Sequence, residues 1–226
     1  MVARPAFVQD GGMVSEGVRL RPLAVRDADV MAAWGDDPLF CDEAGWSPDL
    51  DPAERRVRWG ELVRDPPADL IRLAGVLDGA VVGYVDLHGS ELGRRELGYL
   101  VGGRERWGRG LGTALARAGV AHGFGELGLD EIWAEAADAN VASVRILQRI
   151  GMTETGRGDD TWYLGRRTFY RQFAMTRSEG EHRKETQRRW TDPDLPFGSS
   201  NQVGPAHPGD GECSPVDNSQ SVPRTG

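Results

Sequence analysis

One stretch of the chain, residues 95–113, restricts its fold more than any other. It opens with an extended, mostly apolar run at 96–101, whose composition favours a β-strand. Two adjacent glycines end that run, and a glycine-rich segment follows at 107–113. A helix-period pattern over 114–124 comes next, so the stretch predicts a strand, a glycine-rich turn and a helix in direct succession.

This unit is suited to bind an anion. Glycines let the backbone approach a ligand closely, and the first N–H groups of a helix lack internal partners at the positive end of the helix dipole. Together they favour a phosphate or pyrophosphate. Arg104, Arg106 and Arg109 add positive charge to the same loop. The alternative is a loop that only turns the chain, and the loop alone does not decide between the two.

Two familiar phosphate-binding loops are excluded by the spacing. A Walker-type loop needs Lys followed by Ser or Thr after its last glycine, but here Gly112 is followed by Thr113 and Ala114. The pattern Gly108-x-Gly110-x-Gly112 also differs from the G-x-G-x-x-G dinucleotide fingerprint. If the segment binds an anion, it therefore belongs to neither of these two classes.

The segment resembles the acetyl-CoA-binding segment of the GNAT superfamily of N-acetyltransferases. The family pattern is Gln/Arg-x-x-Gly-x-Gly/Ala between a splayed strand and a helix. Gly110 and Gly112 match the two glycine positions, and Trp107 stands where Gln or Arg is usual. An aromatic residue there is similar to the branch that contains the ribosomal-protein N-terminal acetyltransferases and several aminoglycoside N-acetyltransferases.

A second segment further along the chain supports the same resemblance. Residues 138–152, DANVASVRILQRIGM, are similar to that branch's N-x-x-S-x-R/K-x-L-x-K/R-x-G-F/M helix. Two motifs in the right order are more specific than either alone. The resemblance extends, with falling strength, from about Val18 to Arg177.

The remaining pattern is compatible with the fold that the resemblance implies. It predicts, in order, a strand (18–23), a helix (28–34), a second helix (52–64), a hairpin of strands (71–77 and 80–88), and, after the central unit, a strand (131–135), a helix (140–150) and a closing hairpin (152–156 and 161–175). This order indicates an α/β layout with an antiparallel meander. The resemblance implies a GNAT-type mixed, mostly antiparallel twisted sheet, flanked by helices and with splayed central strands.

Composition sets the limits of the domain. Only 39% of the 226 residues are hydrophobic, which is low for a chain that packs throughout. We expect a flexible lead-in at 1–16, the acetyltransferase domain at 17–177 and a disordered Pro/Gly/Ser-rich tail at 178–226. The alternative for the start of the tail is a short helix at 179–190.

Charge and cysteine content exclude several classes of function. The net charge of −8 argues against nucleic-acid binding as the main task. Cys41 and Cys213 lie far apart and form neither a disulfide framework nor a zinc ligand set, so we expect no metal. No segment approaches the ~18 apolar residues of a membrane span, and the start does not read as a secretory signal. We therefore expect a cytoplasmic protein without membrane partners.

The resemblance implies roles for residues of both motifs. Backbone N–H groups near Leu100 and Val101 would hold the pantetheine arm and polarise the thioester carbonyl of acetyl-CoA. Asn140 matches a residue that contacts CoA, and Ser143 matches one proposed to protonate the departing thiolate. The pyrophosphate would be held by the backbone of the glycine-rich segment: Trp107, Gly108, Arg109, Gly110, Leu111, Gly112 and Thr113.

The sequence indicates the general base less clearly than it indicates the cofactor-binding residues. Acyl transfer requires a neutral amine, so a base must take the proton from its charged form. Glu96 begins the central strand, where related enzymes often place such a carboxylate, and alternation puts it on the face opposite Tyr99. Asp86 on the neighbouring strand is the second candidate. His88 and His122 are bases by residue type, and either carboxylate could instead be an ordinary surface charge.

The segment 36–51 bears on the acceptor because it has six acidic residues and no lysine or arginine. It also contains Phe40 and Trp46. It could form a cation-attracting rim with an aromatic platform, or a solvated acidic loop with two aromatic residues in the core. Tyr163 and Tyr170 on the closing hairpin could be core, lining or partner-facing.

The sequence therefore predicts an acetyl-CoA-dependent N-acetyltransferase that moves an acetyl group to a primary amine by direct transfer in a ternary complex. The acceptor is a small polycationic amine, such as an aminoglycoside-like antibiotic, or a protein or peptide N-terminus. The rival hypothesis is a non-catalytic acyl-CoA-binding sensor or interaction module. A longer acyl group and a homodimer formed through a sheet edge also remain open.

Overall fold

The fold is one mixed sheet with helices on both faces. The structure, a computed structural model, describes residues 17–191, so the predicted lead-in at 1–16 and the tail beyond 191 lie outside the described residues. Its elements, in chain order, are β1 (Arg19–Pro22), α1 (Asp27–Trp34), α2 (Pro38–Ala44), α3 (Pro52–Arg64), β2 (Leu70–Leu77), β3 (Ala80–His88), β4 (Arg94–Val101), a 3-10 turn (Arg104–Arg106), α4 (Leu111–Gly125), β5 (Glu131–Ala137), α5 (Val141–Ile150), β6 (Thr153–Tyr163), β7 (Arg166–Thr176) and α6 (Arg177–Thr191).

The sheet contains seven strands in the order β1-β2-β3-β4-β5-β7-β6. Every neighbouring pair is antiparallel except β4 and β5, which run parallel. Those two strands pair only from Arg94 to Glu96 on β4, where Glu96 lies opposite Trp133, and their pairing does not continue beyond that point. The predicted mixed, mostly antiparallel sheet with splayed central strands is therefore confirmed.

Two hydrophobic layers cover the sheet. On one face α4 and α5 pack over buried residues of the central strands, including Leu87, Leu97 and Ile132. On the other face α1, α2 and α3 form an aromatic cluster around Phe40 and Tyr84. This two-layer arrangement buries both faces of the strands that position the site described below.

The first predicted hairpin turn is confirmed and the second is wrong. Asp78 and Gly79 both have positive φ, 49° and 81°, as a two-residue turn requires. The closing hairpin turns at Leu164-Gly165, with φ of 48° and 70°, and not around 157–160. The polar residues at 157–160 instead form a register shift within the edge strand β6, and solvent can accommodate such a bulge.

Helix starts follow local capping chemistry. Asp51 accepts hydrogen bonds from the N–H groups of Ala53 and Glu54, and Pro52 begins α3, as predicted. Asp27 is not the N-cap of α1, because it lies inside the first turn. There its buried carboxylate accepts two hydrogen bonds from Arg21, at 2.6 and 2.9 Å. The Asp27 side chain thus pairs with Arg21 and does not cap the helix.

Helix α6 corresponds to the alternative that the sequence left open for 179–190. Its first residue, Arg177, donates hydrogen bonds to the carbonyl oxygens of Phe124, near the end of α4, and of Leu129, in the loop between α4 and β5. Gly180 is buried, and a Cβ there would lie 2.9 Å from the Phe124 ring. The packed part of the chain therefore continues beyond residue 177. Within 17–191, no helix combines the length and apolar character needed to cross a bilayer.

Candidate active site

A cavity of about 450 Å³ lies where the end of β4 meets the first turns of α4 and α5. Both sequence motifs contribute to its wall. The predicted cofactor-binding residues that line it are Leu100, Val101, Trp107, Gly108, Gly110, Leu111, Gly112, Thr113 and Asn140. Arg109 is the one predicted member that does not line this cavity in the described part of the chain. The predicted acid Ser143 lines it as well.

The start of α4 is shaped for close approach of a ligand. Gly110 is its N-cap, with φ of 83°, and no side chain caps the helix. The N–H groups of the first turn are therefore free of capping side chains at the positive end of the helix. Gly112 lies against α5, where a Cβ would be 2.7 Å from Ile146 Cδ1. The glycines thus serve both the turn before α4, which needs a positive φ, and the contact between the two helices.

Trp107 connects this loop to the rest of the protein. Its indole Nε1 donates a hydrogen bond to the Val101 carbonyl oxygen at 3.0 Å. Its ring centroid lies 5.9 Å from that of Phe40, inside the aromatic cluster of α1–α3. An aromatic residue at the position usually held by Gln or Arg therefore fixes the loop against the end of β4.

The arginines around the cavity only partly match those expected from the sequence. Arg104 forms an ion pair with Asp37 at 2.6 Å, and Arg106 lines the cavity while pairing with Glu105. Arg145 and Arg149 on α5 also line it, and sequence reasoning missed both. The sequence could have indicated them, because the two arginines lie four residues apart on the predicted helix 140–150 and therefore share one of its faces.

The first turn of α5 brings three polar groups together. Asn140 is the N-cap, and its Oδ1 accepts a hydrogen bond from the Ser143 N–H at 3.1 Å. The Tyr99 hydroxyl donates to the Ser143 carbonyl oxygen at 3.4 Å, and Tyr99 lines the cavity. Burial raises the pKa of Tyr99 to about 12, so its phenol stays protonated.

Glu96 lies on the opposite face of β4 from Tyr99, at the last residue paired with β5. It does not line the cavity, but the sheet splays apart just beyond it. Burial and the nearby Glu135 carboxylate raise the pKa of Glu96, while His88, with its Nδ1 4.0 Å from a Glu96 oxygen, acts in the opposite direction. The pKa of this carboxyl is therefore moved towards the range useful for a general base.

Glu135 on β5 is a further carboxylate that sequence reasoning missed. It lies two residues beyond Trp133, the register partner of Glu96, and therefore on the same face of the sheet. Its Oε1 accepts a hydrogen bond from Gln172 Nε2 at 2.7 Å. The strand register that brings Glu135 beside Glu96 depends on long-range pairing, which the sequence motif did not reveal.

The second candidate base, Asp86, is engaged by an arginine. Arg72 donates to both carboxylate oxygens of Asp86, at 2.6 and 2.5 Å, and the Asp86 side chain is only 16% exposed. The Arg72 guanidinium also stacks over Tyr84, 4.4 Å from the ring centroid. This arrangement is typical of a structural ion pair. His122 lies in the last turn of α4 and does not line the cavity.

Much of the acidic segment 36–51 has structural roles. Asp36 pairs with Arg55 at 2.9 Å, Asp37 caps α2 and pairs with Arg104, and Asp51 caps α3. The short helix α2 was not predicted, although Asp37 followed by Pro38 is a helix-start signal.

The aromatic residues of that segment belong to the core. Phe40 is fully buried, and the Trp46 ring centroid lies 5.2 Å from it. They do not form the exposed platform that the sequence left open as one alternative. Glu43 is different, because it lines the cavity and accepts a hydrogen bond from the Tyr163 hydroxyl at 2.9 Å. Tyr163 is thus a cavity-lining residue.

Comparisons with known proteins agree with this geometry. The sequence profile described as "Acetyltransferase (GNAT) domain" matches residues 18–153. The "Uncharacterized N-acetyltransferase p20" of Bacillus licheniformis is 25% identical over 149 residues, covering 64% of this chain and 83% of that protein. The "Putative ribosomal N-acetyltransferase YdaF" of Bacillus subtilis is 35% identical over 94 residues, covering 40% of this chain and 51% of that protein.

Among solved structures, the chain is similar to spermidine N-acetyltransferase from Vibrio cholerae in complex with CoA and spermine. The TM-score is 0.62 at 17% identity, and the match covers 73% of this chain and 98% of that one. At this identity the likeness shows a shared fold. Any inference about ligands therefore rests on the residues that line the cavity.

Proposed function

The chain belongs to the GNAT acetyltransferase family, and we propose that it transfers an acetyl group from acetyl-CoA directly to a primary amine. The observation that carries the proposal is the single cavity in which both sequence motifs meet. Its walls combine free helix N-terminal N–H groups with arginines, a donor set that suits the phosphates of CoA. Among residues 17–191, no group of three or more potential metal ligands occurs.

The residues present fit the cofactor. The uncapped start of α4 would hold the pyrophosphate, and Arg106, Arg145 and Arg149 would pair with the phosphate charges. Bound acetyl-CoA would supply a thioester, which is an activated acetyl group. Since β4 parts from β5 after Glu96, the backbone at Leu100 and Val101 is not paired to β5 and is open to the pantetheine arm and the thioester carbonyl.

Glu96 is the proposed general base. Its pKa is raised by burial and by Glu135, so it can accept a proton from an ammonium group better than an ordinary surface carboxylate. Leu100, which strand alternation places on the same face of β4 as Glu96, lines the cavity beyond the point where β4 and β5 part. Asp86 is the weaker candidate, because Arg72 binds both of its oxygens.

Ser143 is the proposed proton donor to the departing thiolate. It lines the cavity in the first turn of α5, where the positive end of the helix also favours a developing negative charge. Asn140 and Tyr99 hydrogen-bond to its backbone and hold it in place. The steps need no covalent enzyme intermediate, because the amine nitrogen attacks the carbonyl carbon as the C–S bond breaks.

The test is thiol release from acetyl-CoA by the purified protein against a panel of amines. The panel contains aminoglycosides, polyamines, amino acids and short peptides with free N-termini. We expect release that depends on one amine class, with a matching mass gain of one acetyl group. CoA binding without release for any amine would favour the non-catalytic binding module, and absence of CoA binding would contradict the proposal.

A further inference from the structure

Two segments far apart in the sequence meet at one part of the cavity wall. Glu43 comes from the end of α2, and Tyr163 comes from the last residue of β6, directly before the turn into β7. Their side chains are joined by a hydrogen bond of 2.9 Å from the Tyr163 hydroxyl to Glu43 Oε2. Both residues line the cavity that the proposed cofactor site occupies.

The charges of the cavity lining are divided in sign. Three arginines, Arg106, Arg145 and Arg149, contribute positive charge, and Glu43 is the one carboxylate among the lining residues that the structure describes. A cofactor that carries phosphates is attracted by the arginines and repelled by a carboxylate. Glu43 therefore does not suit the cofactor and suits a positively charged second ligand instead.

The Glu43 carboxylate is also available for such a ligand. The ion pairs within 17–191 engage Asp36 and Asp37 of the same segment but do not include Glu43. Its hydrogen bond comes from Tyr163, which carries no charge, and burial together with Glu43 raises the pKa of Tyr163 to about 12. A neutral donor orients the carboxylate without neutralising it.

We propose that Glu43, oriented by Tyr163, binds a second ammonium group of the acceptor, so that the preferred acceptor carries at least two amino groups. This inference rests on the proposed function and names the substrate class of the same site. It favours a small diamine or polyamine type of acceptor over a peptide N-terminus that has no neighbouring cation. One amino group would be acetylated while another is held at Glu43.

The experiment compares two ligands that differ by one ammonium group, cadaverine and pentylamine. Each is titrated calorimetrically into the CoA-saturated protein, and thiol release from acetyl-CoA is measured with each. We expect the wild-type protein to bind cadaverine about tenfold more tightly, the size expected for one charge-assisted hydrogen bond. Glu43→Gln should remove most of that preference, and Tyr163→Phe should reduce it by a smaller factor.

Asp42→Asn is the matched control, because Asp42 is an exposed neighbour on α2 that does not line the cavity. It should retain the wild-type preference. The inference is overturned if wild type binds both amines equally, binds neither amine, or loses as much preference in Asp42→Asn as in Glu43→Gln. CoA saturation in the same titration separates the two proposals, since failure to bind CoA would instead contradict the proposed function.

Discussion

The proposed cofactor side of the site and the proposed acceptor side are built in different ways. The cofactor side consists of two contiguous motifs, the glycine-rich turn before α4 and the first turns of α5. The proposed acceptor side draws on two pairs, Glu43 with Tyr163 and Glu96 with Glu135, and each pair forms only in the folded chain. In the proposed function, cofactor binding would rely mainly on backbone groups, whereas acceptor chemistry would rely on a few side chains.

This difference gives distinct expectations for mutation. A helix N-terminus keeps its free N–H groups whichever side chains surround it, so single replacements there should change binding modestly. A general base cannot be replaced by neighbouring groups in this way, since one carboxylate performs the proton transfer. Replacements on the acceptor side should therefore lower turnover while leaving cofactor affinity intact.

The largest effect is expected for Glu96→Gln. Loss of the general base should lower kcat by about a hundredfold, within the usual range for such groups. CoA affinity by calorimetry should stay unchanged, because Glu96 does not line the cavity. Glu91→Gln, an exposed carboxylate before β4, is the control and should behave as wild type. Equal turnover by Glu96→Gln and wild type would remove Glu96 as the base.

A smaller effect is expected for Trp107→Phe, which keeps an aromatic ring but loses the N–H donated to the Val101 carbonyl. The loop should hold the cofactor less firmly, with CoA affinity about fivefold lower, as for one ordinary hydrogen bond. Trp162→Phe is the matched control, because Trp162 is 71% exposed. If Trp107→Phe binds CoA like wild type, the indole hydrogen bond does not support the site.

Arg145→Ala and Arg149→Ala should each weaken CoA binding by about threefold, because both arginines are exposed and an ion pair with a CoA phosphate there would be screened by solvent and salt. The loss should shrink as ionic strength rises, which calorimetry at two salt concentrations measures. Arg26→Ala, an exposed arginine at the start of α1, is the control. A loss that does not depend on salt would argue against contact with phosphate.

The smallest effect concerns pH. The Glu135 carboxylate contributes to the raised pKa of Glu96, so Glu135→Gln should lower that pKa. Since a base works in its deprotonated form, the acidic limb of the kcat/KM profile should move to lower pH. The profile of wild type measured beside it gives the reference. A shift to higher pH, or none, would show that the two carboxylates are not coupled.

The proposed cofactor side and the proposed acceptor side also differ in how much of each could be predicted from the sequence. Local signals were sufficient where the chemistry is local: the glycines before α4, the start of α3 at Pro52 and the Asp78-Gly79 turn lie where expected. Apart from α2, which was not predicted, the order of strands and helices followed from the same patterns. This success reflects motifs whose residues are neighbours in the chain.

The sequence predicted less where strand register or tertiary pairing determines which side chains come together. Glu135 comes beside Glu96 only through the parallel pairing of β4 with β5. Asp86 was a reasonable base until its pairing with Arg72 on the neighbouring strand was visible. The second hairpin turn was misplaced because Leu164-Gly165 lacks the usual Asn-Gly or Asp-Gly signature.

The most direct test of direct acetyl transfer is a single-turnover reaction with acetyl-labelled acetyl-CoA and an accepted amine, followed by mass spectrometry of both amine and protein. The account predicts one labelled acetyl group on the amine for each thiol released and none on the protein. Label retained covalently on the protein, or thiol released without acetylated amine, would contradict it.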